Sequence, residues 1–266
     1  MIAKFEGHYH GGVDEFLVSH APSKAETDGG FRPVSGSRGT PAHVLENTLV
    51  LPFNDLAETE ARIRGHADRL ACVIMEPVER SYIAPDPEFL RGVREVTARN
   101  DIPLIFDEVM SGFRVAFGGA QHAYGVTPDL TCLGKVIGGG LPCGAFLGRS
   151  DILELADPRS GEFFHSGTFA GYPPAMAAGM ATLDELEAPG GFEGLLEKTQ
   201  NLAAEFERIV EQRHVRARVP RVGTVFSLLE RGIFVKPAKP FYLSTAHDDA
   251  AIRQTIEALD DALQVA

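Results

Sequence analysis

Short runs of consecutive apolar residues alternate along the front of the chain with stretches whose apolar positions recur every three or four residues. "ACVIM" (Ala71–Met75) is one such run, with β-branched Val73 and Ile74 at its centre, and it stops at Glu76-Pro77. "PLIF" (Pro103–Phe106) is another and stops at Asp107. Between them "DPEFLRGVREVTARN" sets Phe89, Leu90, Val93 and Val96 near helical spacing. Short apolar runs bounded by polar or Pro residues read as buried strands, and the spaced pattern reads as an amphipathic helix. Strand, helix, strand in this order predicts a right-handed crossover and a parallel sheet. "DLTCLGK" and "GAFLG" supply two more strands, and Ile2–Phe5 a further one.

From Pro174 the pattern turns helical in "PAMAAGMATLDELEA", where Ala and Gly imply close packing against a neighbour, until Gly190-Gly191 breaks it. "FEGLLEKTQNLAAEFERIVEQRHV" then predicts an amphipathic helix with Leu195, Leu196, Leu202, Phe206 and Val210 on or near one face. Short strands at "VGTVFSLL", "GIFV" and "FYLST" and a last helix over Asp248–Val265 complete the chain. The expected fold is therefore α/β over residues 1–189 and a smaller α+β unit over residues 190–266. The polar, Gly-rich stretch Ser23–Pro41 is a loop of the kind that covers a site.

Composition narrows the partners. The 266 residues are 44% hydrophobic and 23% charged, as in a globular protein with a sizeable core. A formal net charge of −12 argues against nucleic acid and anionic membranes. No run reaches the roughly 18 apolar residues of a membrane span, and "MIAKFEGHYHGG" has no signal-peptide pattern, so a cytoplasmic protein is expected. Cys72, Cys132 and Cys143 are widely spaced and read as buried free thiols.

The chemistry starts from Asp107 and Lys135. Alone, Asp107 reads as a strand-end acid capping the next turn, and Lys135 as a surface residue. Together they say more, because ligands of open α/β sheets sit beyond the carboxyl ends of the strands. Lys135 is followed by "VIGGGLPCG", a Gly-rich backbone that can approach a bulky group closely. A lysine and an acid at neighbouring strand ends suit pyridoxal phosphate: the amine forms a Schiff base with the aldehyde, and the carboxylate keeps the ring nitrogen protonated. Rival motifs fail. A Walker A loop would need glycine at Asp129 and Ser or Thr at Val136, a dinucleotide fingerprint would need glycine at Cys143, and a nucleophile elbow on Ser37 would need glycine at Ser35. "HYH" with Asp14 could seed a metal site, but no further ligand stands at convincing spacing.

"KFEGHYHGG", "EPVE", "LIFDEVMSGFRVAFGGAQHAYGVTPDLTCLGKVIGGGLPCGAFLG", "HSGTFAGYPPAMAAG" and "FYLSTAHDD", in this order, resemble the class III aminotransferases, nearest the glutamate-1-semialdehyde 2,1-aminomutase branch. The resemblance implies the fold-type I architecture of pyridoxal phosphate enzymes, with a mostly parallel large-domain sheet, helices on both faces and a small C-terminal domain. It implies Lys135 as the Schiff-base lysine and proton carrier, and Asp107 as the partner of the ring nitrogen. Val109 would pack on one ring face and Tyr9 on the other. Thr168 would reach the cofactor phosphate of a neighbouring subunit, which implies a homodimer. Read without the resemblance, Tyr9 is a core or dimer-contact aromatic and Thr168 a helix N-cap.

The sequence also departs from the family pattern. As given, it begins after the place of a Ser-Gly-(Thr/Ser)-Glu turn that feeds N–H groups to the cofactor phosphate, and "SGSRGT" (Ser35–Thr40) is a weak substitute. Ser81 stands where a Gly-Asn pair usually places its asparagine against the cofactor's phenolic oxygen, and Tyr172 replaces the asparagine of "GNP". The leading expectation is an aminotransferase acting on small amines or amino acids and carbonyl compounds. An aminomutase-type isomerase and a non-catalytic dimer partner are the alternatives. Arg32, Arg38 and Arg80 are candidates for holding a substrate carboxylate.

Overall fold

The computed structural model describes residues 1–22, 30–159, 163–214, 217–218, 221–222, 225–226, 229–230 and 241–264. Its centre is a six-stranded sheet: β1 (Ile2–Phe5), β2 (Thr48–Leu51), β3 (Cys72–Met75), β4 (Leu104–Asp107), β5 (Leu130–Gly134) and β6 (Gly144–Gly148), in the spatial order β2-β1-β3-β4-β5-β6. The first five run parallel, and only β6 pairs antiparallel, against β5. Around the sheet lie α1 (Asp14–Leu17), α2 (Ala42–Glu46), α3 (Leu56–Gly65), α4 (Pro87–Arg99), α5 (Gly119–Tyr124) and α6 (Ser150–Leu153). The rear of the chain carries α7 (Pro173–Glu187), α8 (Gly191–Gln212) and α9 (Asp249–Gln264).

Alternation along the strands sorts the core. Ala3 and Phe5, Leu49 and Leu51, Val73 and Met75, and Leu104 and Phe106 share one face and pack with Ile63 of α3 and Phe89, Leu90, Val93 and Val96 of α4. Helix α4 starts where the sequence says it should: Asp86 accepts from Glu88 N at 2.9 Å, and Pro87 fills the first helical position. Helix α8 buries Phe192, Leu195, Leu202, Phe206 and Val210, as its apolar stripe predicts, with Leu196 half-buried at the margin. Strand β2 and helix α3 were not predicted. The stretch "GIFV" lies outside the described residues. The cysteines are free, but half-buried rather than buried. Cys132 stands opposite Asp107 in the β4–β5 register, close to the sheet's carboxyl edge.

The other face of β1 holds a fully buried lysine. Lys4 Nζ donates to His8 O at 2.9 Å and to Val18 O, tying down the loop that follows β1. Burial pushes its amine down to about 8 from 10.5, against the pull of Glu76. Between those two pH values the unfolded chain holds a proton that the fold has released. The stability that Lys4 contributes therefore rises with pH across that window and is flat below it. Cys132 works the other way above pH 9, because burial raises its thiol to about 11. A difference between two proteins isolates the lysine: relative to Lys4→Met, wild-type stability in urea is expected to gain about 3 kcal/mol between pH 8 and 10.5. Parallel stability–pH curves for the two proteins would contradict this.

Candidate active site

Because β1 to β5 run parallel, their carboxyl ends lie along one edge of the sheet, where such sheets place their ligands. The loop after β1 brings His8, Tyr9 and His10 to that edge. Glu76 follows β3, Asp107 ends β4, and Lys135 follows β5.

Asp107 is 7% exposed. Its Oδ1 accepts from Val109 N at 3.1 Å, so it does cap the turn that follows, and its Oδ2 lies 2.8 Å from His10 Nδ1. A carboxylate has about four acceptor positions, so both bonds leave room for another donor. Glu76 fixes the opposite wall. Its Oε1 accepts from Tyr9 N at 2.7 Å, its Oε2 from Arg80 N at 2.9 Å, and its own N–H donates to His8 Nδ1 at 3.0 Å. Burial raises the Glu76 carboxyl above the usual range, and the N–H groups of Tyr9 and Arg80 offset part of that. Glu76 thus staples the β1 loop to β3, with Tyr9 and His10 on that loop.

Lys135 leaves the sheet with φ +51°, a left-handed conformation that a non-glycine residue holds at a cost of roughly 1–2 kcal/mol. The single turn Lys135–Gly138 follows, and a Cβ on Gly139 would meet Ala178 O at 2.3 Å, so this turn rests directly on the α7 backbone. A Cβ on Gly134 would come within 3.2 Å of Val109 Cγ1, which places the valine beside the lysine's own segment. Burial and then Arg114 push the Lys135 amine below its ordinary value, while Asp107 and Glu76 pull it up. The amine therefore lies within electrostatic reach of both carboxylates.

Of the residues singled out in the sequence, Asp107, Lys135, Val109 and Tyr9 lie on loops of this one edge. Tyr9 is 55% exposed, with an edge-on contact to His20, and is not a core aromatic. Thr168 stands exposed in the turn ahead of α7, and among the described residues no hydrogen bond links it to the other four. His8 and His10 point at Glu76 N and Asp107 rather than at a shared metal position. His10 and Glu76 are the functional candidates the sequence reading missed. Their signals were a histidine two residues from another and a carboxylate stopping an apolar run.

Arg80 and Ser81 both sit in the left-handed region that Gly and Asn favour, with φ +52° and +65°. Ser81 is fully buried, so its hydroxyl does not face the open edge. A cavity of about 540 Å³ is lined by Phe113, Arg114, Val136, Thr182, Glu185 and Leu243. It borders the lysine turn, but Asp107 and Tyr9 do not line it.

Behind Asp107, Glu108 is 1% exposed and accepts from Ala120 N (2.7 Å), Gln121 N (3.0 Å) and Ser111 Oγ (2.8 Å). It satisfies the first N–H groups of α5 from outside the helix and anchors the loop carrying Val109. A Cβ on Gly119 would fall 2.6 Å from Glu108 Oε2. Glu108→Ala strands these buried donors, and a stability loss of about 2–4 kcal/mol is expected in chemical denaturation. A loss under about 1 kcal/mol would show that water replaces the carboxylate.

These groups fit a flat ring bearing an aldehyde and a protonatable nitrogen. Lys135 brings an amine of lowered basicity, Asp107 a buried carboxylate with spare lone pairs, and Val109 and Tyr9 apolar and aromatic surface, all at this one sheet edge.

The family pattern described as Aminotransferase class-III matches residues 1–239. A glutamate-1-semialdehyde 2,1-aminomutase of Desulforudis audaxviator (strain MP104C) is 40% identical, over 100% of this chain and 67% of its own length. An omega-transaminase of Sphaerobacter thermophilus superposes with a TM-score of 0.91 at 36% identity, over 99% of this chain and 68% of that one. A structure of a transaminase with PLP bound superposes with a TM-score of 0.89 at 28% identity, over 99% and 67%. The chain thus spans about two thirds of the length of these relatives.

Proposed function

The chain belongs to the class III aminotransferases, a family dependent on pyridoxal phosphate, and from that premise we propose that it moves an amino group between an amine or amino acid and a carbonyl compound. In this reading Lys135 is the nucleophile and proton carrier, and Asp107 the anionic partner of the ring nitrogen. When bound, pyridoxal phosphate supplies an aldehyde to take up the amine and a ring that accepts electrons from the adjacent carbon.

The chain's own residues set the rest. The lowered basicity of Lys135 leaves more of its amine neutral, and so nucleophilic, near neutral pH. The same amine would carry the proton of the 1,3-shift, taking it from one carbon and returning it to the carbon on the other side of the transferred nitrogen. Asp107, held by Val109 N and His10, presents a fixed negative charge without reorganising. Val109 and Tyr9 would sandwich the ring and hold its plane. The observation that carries this reading is the single edge shared by Lys135, Asp107 and the Tyr9 loop.

Phe146, Leu147, Phe169 and Met180 are exposed by 41%, 44%, 72% and 62%. Apolar exposure on this scale supports the homodimer in which Thr168 would reach a neighbouring site. We place the enzyme in the cytoplasm and its division into two units at residues 1–189 and 190–266. Among the described residues, no helix is long and apolar enough to cross a membrane.

A second reading is favoured by the relative at 40% identity: an aminomutase that takes and returns the amino group on one carbon skeleton. The test is the visible spectrum with added pyridoxal phosphate, followed by borohydride reduction and peptide mapping. A reduced adduct on Lys135 is expected. No band at saturating cofactor would favour a non-catalytic dimer partner. Turnover without an external amino acceptor would select the aminomutase.

A further inference from the structure

Two histidines stand behind the proposed ring-nitrogen partner, and their hydrogen bonds constrain each other. His8 is 0% exposed. Its Nδ1 receives the backbone N–H of Glu76 at 3.0 Å, and a backbone N–H can only donate. His8 Nδ1 therefore carries a lone pair, and the neutral ring has its hydrogen on Nε2. Protonating His8 would set two N–H groups against each other. His10 faces Asp107 Oδ2 through Nδ1 at 2.8 Å, and an ionised carboxylate only accepts, so this nitrogen donates. Neutral His10 then carries a lone pair on Nε2.

Both remaining nitrogens, His8 Nε2 and His10 Nε2, are buried and have no hydrogen-bond partner among the described residues. With both rings neutral, one is a donor and the other an acceptor. The two rings lie edge to face with centroids 6.0 Å apart. Neither nitrogen bonds the other directly. Burying both groups unsatisfied would cost about 1–3 kcal/mol each, whereas a bridging water satisfies the pair.

We propose that His8 and His10 hold one ordered water between their Nε2 atoms, and that His8 acts through it as a positioning residue, keeping His10 in the tautomer that donates to Asp107. The chain Glu76 N–H, His8, water, His10, Asp107 then has a single direction of donation. It fixes Asp107 as the acceptor at its end. The charged and titratable groups facing this chain are Lys4, Glu76, Arg80, Asp107 and Lys135. Burial first, and then His10, Lys4 and Arg80, disfavour a positive His8, so its direction holds across neutral pH. The link from Asp107 to a ring nitrogen rests on the function proposed above; the two-histidine chain itself does not.

The test is nitrogen-15 NMR of the histidine side chains in the protein without cofactor, from pH 6 to 9. His8 is expected as the neutral Nε2–H form throughout, and His10 with its proton on Nδ1, with a water cross-peak to His8 Nε2–H. His8→Gln keeps an N–H near the Nε2 position and is expected to leave the His10 signal in place. His8→Phe removes it and is expected to move the His10 Nε2 signal toward that of a lone pair with no hydrogen bond. In cofactor-loaded protein, the same variant is expected to shift the pH midpoint of the visible band. A charged or Nδ1–H His8 in the wild-type protein would overturn the proposal, whatever the variants do. An unchanged His10 Nε2 signal in folded His8→Phe would overturn it too. An absent visible band with the expected NMR pattern would count against the enzymatic reading and leave the histidine chain standing.

Discussion

Lys135→Ala is expected to lower turnover by at least about 10³-fold, the scale of losing both a nucleophile and a positioned proton carrier. The fold should survive. Alanine meets much the same penalty as lysine at φ +51°, and Lys135 is exposed as a residue although its amine is partly desolvated, so little packing is lost. No band of a protein-bound imine should form with added cofactor, and borohydride should fix nothing at this position. A small primary amine in the buffer should restore part of the rate, since it can carry the proton in the lysine's place. Unchanged activity, or a reduced adduct on another lysine, would move the chemistry away from β5.

Asp107→Asn is expected to cost about 10²–10³-fold in turnover with little loss of stability. The amide oxygen can still accept from Val109 N, and the amide nitrogen can donate to His10 once that ring changes tautomer. What disappears is the negative charge. A neutral amide does not hold a proton on the ring nitrogen, so the ring becomes a poorer electron acceptor. The loss should fall on the rate of chemistry rather than on substrate affinity, and stopped-flow half-reactions can separate the two. Asp107→Glu restores the charge but moves it by one methylene, and partial recovery is expected. Full activity in Asp107→Asn would assign the residue to its turn-capping role alone.

Much of this site could be read before any coordinates. Apolar runs that stop at Asp107 and at the Gly134-Lys135 step marked two strand ends, and the paired residue types named the chemistry. Ile2–Phe5 and the helices α4 and α8 were legible because one period dominates each segment. Strand β2 was not, because "TLVL" is short and leads straight into Pro52. Helix α3 buries only Thr59 and Ile63, too few positions to make a stripe. The reversal of β6 has no local signature, since pairing direction is decided by what lies alongside. The bond between His10 and Asp107 was equally hidden, being a property of two loops and not of either motif.

That bond joins residues 97 positions apart, and the staple between Tyr9 and Glu76 joins residues 67 apart. Neither can form until β1 has docked between β2 and β3, and β4 has followed β3. Such pairings pay their loop-closure entropy late and slow the search for the native state. In refolding, the ability to take up cofactor should therefore return with the slowest phase, after helical signal is largely recovered. A ligand that binds only the finished sheet also biases the equilibrium toward it, by about 2.7 kcal/mol at one hundred times its dissociation constant. Cofactor supply would then govern how much of the newly made chain persists in its folded form, as well as how fast it turns over substrate.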